Sequence, residues 1–176
     1  MPRLRRISVV KPNAQDFAEV AERHLDDVHA FLVYLTGDRS VAEDLTAETF
    51  ARALERWRKF DPRRGSARTW LCQLARSTAL DHFRSEERRR RREGRYALGG
   101  PDSEDATFGE GLSPQLEAAL ARLSAAEREV LALRVILDLD GEAAARVLGI
   151  SQSACSTRLS RALQKLEQEV SAGVAA

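Results

Sequence analysis

Apolar residues recur in steps of three and four along most of the chain, the spacing that lines one face of an α-helix. Phe17, Val20, Ala21, Leu25, Val28, Phe31, Leu32 and Leu35 form one such stripe, which predicts a helix from about Asp16 to Thr36. Gly37 follows where a left-handed helix stop is expected. Ser40 and Glu43 have capping-box spacing, so a second helix is expected after Ser40, with Leu45, Phe50, Ala53, Leu54 and Trp57 along it. On that helix Asp44, Glu48 and Arg52 recur every fourth residue and make a polar ridge. The stretch Phe60-Asp61-Pro62-Arg63-Arg64-Gly65-Ser66 breaks the pattern with proline and glycine. Ser66 suits the N-cap of a long third helix that carries Trp70, Leu71, Leu74, Ala75, Ala79, Leu80 and Phe83 inward. Arg68, Arg76 and Arg84 fall on a similar face of it.

Periodicity disappears over residues 94–112, where GGPDSEDATFGEG has the composition of a linker. It returns at Ser113-Pro114, a cap followed by proline at the first helical position, with Leu116, Ala119, Leu120 and Leu123 as the stripe. Ser124 and Glu127 make a second capping box, opening a helix with Val130, Leu131, Leu133, Val135 and Ile136. Glu142 to Leu148 reads as a short helix, Gly149-Ile150-Ser151 as a tight turn, and Gln152 to about Val170 as a longer helix. Strand-like alternation is nearly absent. The expected fold class is all-α: two small helical domains, 16–93 and 113–170, joined by a flexible linker at 94–112. Disordered tails are expected at 1–15 and 171–176.

Composition supports this picture and adds to it. The 176 residues are 43% hydrophobic, enough for one ordinary domain or two small ones. The net charge of +1 hides local extremes. Arg88 to Arg92 are five consecutive arginines, whereas Asp102 to Glu110 holds Asp102, Glu104, Asp105 and Glu110 and no base. The basic block invites nucleic acid; a solvated helix end is the competing reading. Cys72 and Cys155 sit in apolar helical positions outside any CxxC pair or metal-like cluster, which predicts reduced core thiols. His24, His29 and His82 form no constellation, and His24 and His29 are expected at the surface. No catalytic set, metal site or cofactor is therefore expected. The basic N-terminus lacks the apolar run of about 7–15 residues of a signal peptide, and no stretch reaches transmembrane length. A cytoplasmic protein is expected.

The most specific local pattern lies near the end. Helix-turn-helix units need a small residue where the helices cross, glycine in the turn and apolar anchors around both. Ala145 precedes Gly149 by four, Leu148 and Ile150 flank the glycine, and Cys155 sits at the buried anchor of the second helix. That helix exposes Gln152, Ser153, Ser156 and Thr157 near its start, with Arg158 and Arg161 after them. Such positions reach base edges and phosphates in a DNA-recognition helix. An ordinary helical hairpin is the alternative.

Two longer stretches carry a family resemblance. GDRSVAEDLTAETFARALERWRKFDPRRGSARTWLCQLARSTALDHFR resembles region 2 of the extracytoplasmic-function sigma factors, and LEAALARLSAAEREVLALRVILDLDGEAAARVLGISQSACSTRLSRALQKL resembles their region 4. The resemblance implies a subunit that lends core RNA polymerase its promoter specificity, with core polymerase, promoter DNA and an anti-sigma factor as partners. It implies that Asp44, Leu45, Glu48, Thr49 and Phe50 dock on the polymerase clamp. It implies that the loop with Asp61, Arg63, Arg64, Gly65 and Ser66 captures a flipped base of the −10 element, at a cost of a few kcal/mol that its contacts must offset. Trp70, Arg76, Ser77 and Arg84 then read −10 DNA, and Ser151, Gln152, Ser153, Ser156, Thr157, Arg158 and Arg161 read the −35 element. The chain departs from the family pattern at Ala47 (usually Gln), Ser77 (usually Asn) and Ser156 (usually Lys). Gly141, Ala143 and Ala144 stand where larger or capping residues are common, and the glycine alone is expected to weaken its helix by about 1 kcal/mol. A helix-turn-helix regulator acting without polymerase, and a sigma-like adaptor that no longer opens promoters, are the alternatives. The terminal Ala175 and Ala176 resemble tails seized by unfoldase-proteases; plain fraying is the competing reading.

Overall fold

The computed structural model describes residues 14–93 and 106–174. Most of the expected N-terminal tail, residues 94–105 of the expected linker, and Ala175 and Ala176 lie outside that range. Among the described residues there are seven α-helices and no strand: α1 (Ala14–Thr36), α2 (Arg39–Arg56), α3 (Ala67–Arg92), α4 (Pro114–Ala121), α5 (Ala125–Leu131), α6 (Gly141–Leu148) and α7 (Gln152–Val174). Two 3₁₀ turns, Trp57–Lys59 and Pro62–Arg64, join α2 to α3. A widened π-turn, Ala132–Ile136, follows α5.

Helices α1 to α3 form the first domain. Val28, Phe31, Leu32, Leu71, Cys72 and Ala75 have no exposed surface there. Each fully buried Leu or Phe contributes about 1.5–3 kcal/mol of hydrophobic stabilisation. An aromatic cluster closes one end, with Trp57 stacked on Phe60 at 5.0 Å, Trp70 beside both, and Phe17 edge-on to Trp57 at 5.4 Å. Burial pushes the Cys72 thiol up to about 12, which keeps it protonated and inert. Two stripe residues do not go inside: Leu25 and Leu54 are about half exposed. Helical period gives the angle of a residue around its axis but not whether another element lies opposite. His24 and His29 are half-buried rather than superficial. His24 lies 3.5 Å from Asp27, whose carboxylate also pairs with Arg68 at 2.7 Å.

The helix starts show which local signals prevailed. Ser40–Glu43 is not the cap of α2. Asp38 is: its backbone is extended and its carboxylate accepts from Val41 N at 3.0 Å. A carboxylate at the positive helix end gains from the dipole as well as from the hydrogen bond, and it starts the helix one residue before Ser40. Ser66, Ser113 and Ser124 do cap α3, α4 and α5, and the Ser124–Glu127 box is complete. Asp140 caps α6, so Gly141 is its first residue and not an interior one. The propensity loss expected for Gly141 applies to helix interiors and does not carry over in full. Helix α7 continues to Val174, past the end expected near Val170.

The two helical domains pack on each other. Helix α1 lies against α5 and the π-turn, and α3 lies against α6, so one hydrophobic core runs through both. The end of the expected linker is part of this seam. Phe108 is 2% exposed, beside Tyr34 at 6.0 Å, and Thr107 N donates to Gly37 O at 3.0 Å. Arg128, itself 2% exposed, sits over the Phe108 ring and donates to Tyr34 O and Leu123 O. It thereby caps carbonyls near the ends of two helices, where a cation is favoured.

Candidate nucleic-acid interface

The helix-turn-helix is built as its spacing requires. Helix α6 ends at Gly149, which takes the left-handed conformation (φ 66°) that a side chain would strain. Ala145, Leu148 and Cys155 are buried at the crossing. Ser151 Oγ accepts from Ala154 N at 3.1 Å and so starts α7; its hydroxyl is taken up locally. Ser156 and Thr157 are exposed and donate back to the carbonyls of Gln152 and Ser153. Ser153 and Arg161 are also exposed, while Arg158 is half-buried. Gln152 lies against Gly141, where an added Cβ would stand 3.1 Å from its Nε2.

On α2, Asp44 and Glu48 are exposed and Phe50 is half-buried, edge-on to Phe17 at 6.5 Å. Arg52 holds Glu48 at 2.5 Å and reaches Asp81 of α3 at 3.1 Å. Leu45 and Thr49 do not share this surface. Leu45 is 3% exposed and Thr49 is wholly buried, its hydroxyl donating to Leu45 O at 2.7 Å. In the free chain both side chains pack α2 on the core.

The loop between α2 and α3 is held by its own ion pair. Asp61 caps the second 3₁₀ turn and takes Arg63 N and Nε at 3.0 Å, and these bonds to Arg63 lower the Asp61 carboxyl below its ordinary range. Gly65 has φ 150° and ψ 169°, a region open in practice only to glycine. Ser66 Oγ accepts from Thr69 N. Ser77 and Arg84 are exposed on α3, and Trp70 is half-buried beside Phe60.

Here the C-terminal domain intervenes. Arg146 of α6 donates to Arg64 O at 2.5 Å, and its guanidinium occupies the space that a Gly65 Cβ would need. Gln73 donates to Arg146 O at 3.2 Å. Between them lies a cleft of about 580 Å³ lined by Lys59, Phe60, Arg63, Arg64, Trp70 and Arg146. One and a half turns along α3 from Trp70, Arg76 pairs with Glu129 of α5 at 2.5 Å. Glu129 is 4% exposed. Burial raises its pKa, while Arg76 and the Arg158 charge pull it down. None of Phe108, Arg128, Glu129 and Arg146 was marked by the sequence pattern. A charged run beside a capping box reads as solvent-facing, and only the packing of the second domain buries Arg128 and Glu129.

Comparison with known proteins identifies this architecture. Residues 20–89 match the model of Sigma-70 region 2, and residues 113–166 match that of Sigma-70 region 4. The ECF RNA polymerase sigma factor SigC of Mycobacterium tuberculosis is 33% identical, over 91% of this chain and 86% of that one. The ECF sigma factor BldN of Streptomyces coelicolor is 31% identical, over 87% of this chain, and this chain spans 60% of its length. Among solved structures, the sigma factor RpoE in complex with the anti-sigma factor NepR from Bartonella quintana has the same fold. The TM-score is 0.78 at 23% identity, covering 90% of this chain and 98% of that one. The protein is thus of the two-domain helical class with a helix-turn-helix. The chain belongs to the extracytoplasmic-function sigma factors of the sigma-70 family, RNA polymerase subunits that direct promoter-specific transcription.

Proposed function

We propose that this sigma factor meets core polymerase through Asp44, Glu48 and the open edge of Phe50. The loop Asp61–Ser66 and the α3 face with Trp70, Arg76, Ser77 and Arg84 take the −10 element. Gln152, Ser153, Ser156, Thr157, Arg158 and Arg161 take the −35 element, with Ser151 and Ser66 setting the helix starts on which these residues ride. The observation that carries this reading is that both candidate DNA surfaces begin at a serine-capped helix start beside a tight turn. The role is recognition and DNA opening, with no chemical step by the chain itself. Action in the cytoplasm fits a chain in which no helix among the described residues is long and apolar enough to cross a membrane. An anti-sigma factor belongs among the partners, as in the complex of RpoE with the anti-sigma factor NepR, whose fold this chain shares.

Acidic residues at the rim of a helix-on-helix contact set orientation and association rate. Asp44→Lys with Glu48→Lys is therefore expected to abolish co-purification with core polymerase and promoter-dependent transcription while helical content stays unchanged. Normal assembly of the double variant would refute the docking assignment.

A further inference from the structure

Helix α3 outlasts its packing. Its buried residues end at Ala79, Phe83 is the last that touches the core, and the helix then runs on to Arg92. What holds these last turns is local. Arg89 pairs with Glu86 at 2.8 Å and Arg91 with Glu87 at 2.7 Å, and basic residues at a helix C-terminus complement the dipole. Those pairs use two of the arginines. Arg84, Arg88 and Arg92 recur every fourth residue, and among the described residues neither Arg88 nor Arg92 has a carboxylate partner. Like charges at this spacing destabilise a helix by about 0.2–0.5 kcal/mol per pair. The dipole favours cations only within the last turn, whereas Arg84 and Arg88 lie before it. This helix end accumulates a single sign along a ridge of about 12 Å, as a surface that meets a polyanion does.

We propose that Arg88 and Arg92, with Arg84 before them, form a sequence-blind docking site for the phosphates of duplex DNA. The site remains open while Arg146 covers the loop at Arg64 and Gly65 and Glu129 holds Arg76. Among the described residues the hydrogen bonds and ion pairs of this tract from Arg88 onward are all local to α3, and Arg88, Arg89, Arg91 and Arg92 are exposed. The closed chain therefore holds DNA by charge before it reads any base. The proposal does not rest on the −10 or −35 assignments, since phosphate contacts position a protein without carrying sequence information.

The test uses the full chain and a labelled duplex of about two helical turns with no promoter element, titrated with salt by fluorescence anisotropy. Arg88→Gln with Arg92→Gln keeps helix propensity and removes two charges. The slope of log affinity against log salt is expected to fall by about 0.9 for each phosphate that is no longer neutralised, and affinity at low salt by at least about tenfold. The corresponding double Lys variant is expected to retain the slope, which separates charge from any loss of helix. An unchanged slope and affinity in the Gln variant would overturn the proposal. So would loss of binding in the Gln and Lys variants alike, or a change in promoter preference with the slope intact.

Discussion

Gly65 stands where three demands meet. Its backbone conformation is closed to other residues, its Cα faces the Arg146 guanidinium, and it precedes the Ser66 cap that starts α3. A Cβ there would lie 2.8 Å from Arg146 Nη1, although that side chain can move aside at little cost. The backbone strain cannot be relieved so cheaply, and it amounts to about 1–3 kcal/mol. Gly65→Ala is therefore expected to lower the unfolding midpoint and weaken promoter opening while assembly with core polymerase stays normal, since the α2 surface is untouched. Thermal denaturation, co-purification and a promoter-melting assay check the three parts, and failed assembly would show that the loop supports α2 as well. The buried ions belong to this scale too. Arg128 satisfies carbonyls at two helix ends, so its removal leaves acceptors unpaired in the core, a cost of about 1–3 kcal/mol each. Glu129 has Arg76 as its partner from the other domain, and burial has made its proton harder to lose.

Helix starts are where local chemistry chooses between neighbouring registers. At α2 two signals stood two residues apart, and the carboxylate of Asp38 set the start rather than the Ser40–Glu43 pair. Asp38→Ala is expected to destabilise the chain by about 1 kcal/mol, whereas Ser40→Ala, already inside the helix, stays within about 0.5 kcal/mol. Urea denaturation of the two variants settles it, and the reverse order would restore Ser40 as the cap. The same contrast shows what could be read from the sequence. The helices, the Gly149 turn and the buried Cys155 were legible because period and turn chemistry are local properties. The helix-turn-helix face was legible for the same reason. The burial of Leu45 and Thr49 was not legible, because a motif marks a stretch as important without saying which members pack the helix on its core. Phe108 was hidden in a polar stretch without period, and a single anchoring aromatic leaves no repeat to detect. Nothing in the sequence marks Arg128 and Glu129 as buried, because their burial depends on a surface far away in sequence.

At the scale of the whole molecule, the arrangement that buries those charges conflicts with reading a promoter. Two elements about two helical turns apart lie roughly 70 Å from each other. Helix α6 here touches the loop at Arg64, and α5 touches α3 at Arg76. Residues 94–112, 19 in number, reach about 65 Å when fully extended and average about 24 Å as a free coil. The domains must therefore part for both elements to be held at once. The seam is made for parting at its rim and for holding at its centre. Arg146–Arg64 and Gln73–Arg146 are exposed hydrogen bonds of the kind that exchange readily with water, while Phe108 and Arg128 are buried. The Arg76–Glu129 pair lies between. Breaking it by removing one partner leaves a charge that burial disfavours, whereas opening the seam returns both groups to water or hands Arg76 to a phosphate. Polymerase and DNA thus supply what the closed form withholds, and ligands that bind only the open form shift the balance by mass action. With donor and acceptor dyes on α2 and α7, the interdomain distance is expected to increase on binding core polymerase. Arg146→Ala is expected to lower the polymerase concentration at which opening is half complete, because it removes the bond to Arg64 O, made only in the closed form. A distance unchanged by core polymerase would mean that the two domains read DNA without separating, and the contacts at Arg64 and Arg76 would then belong to the working complex.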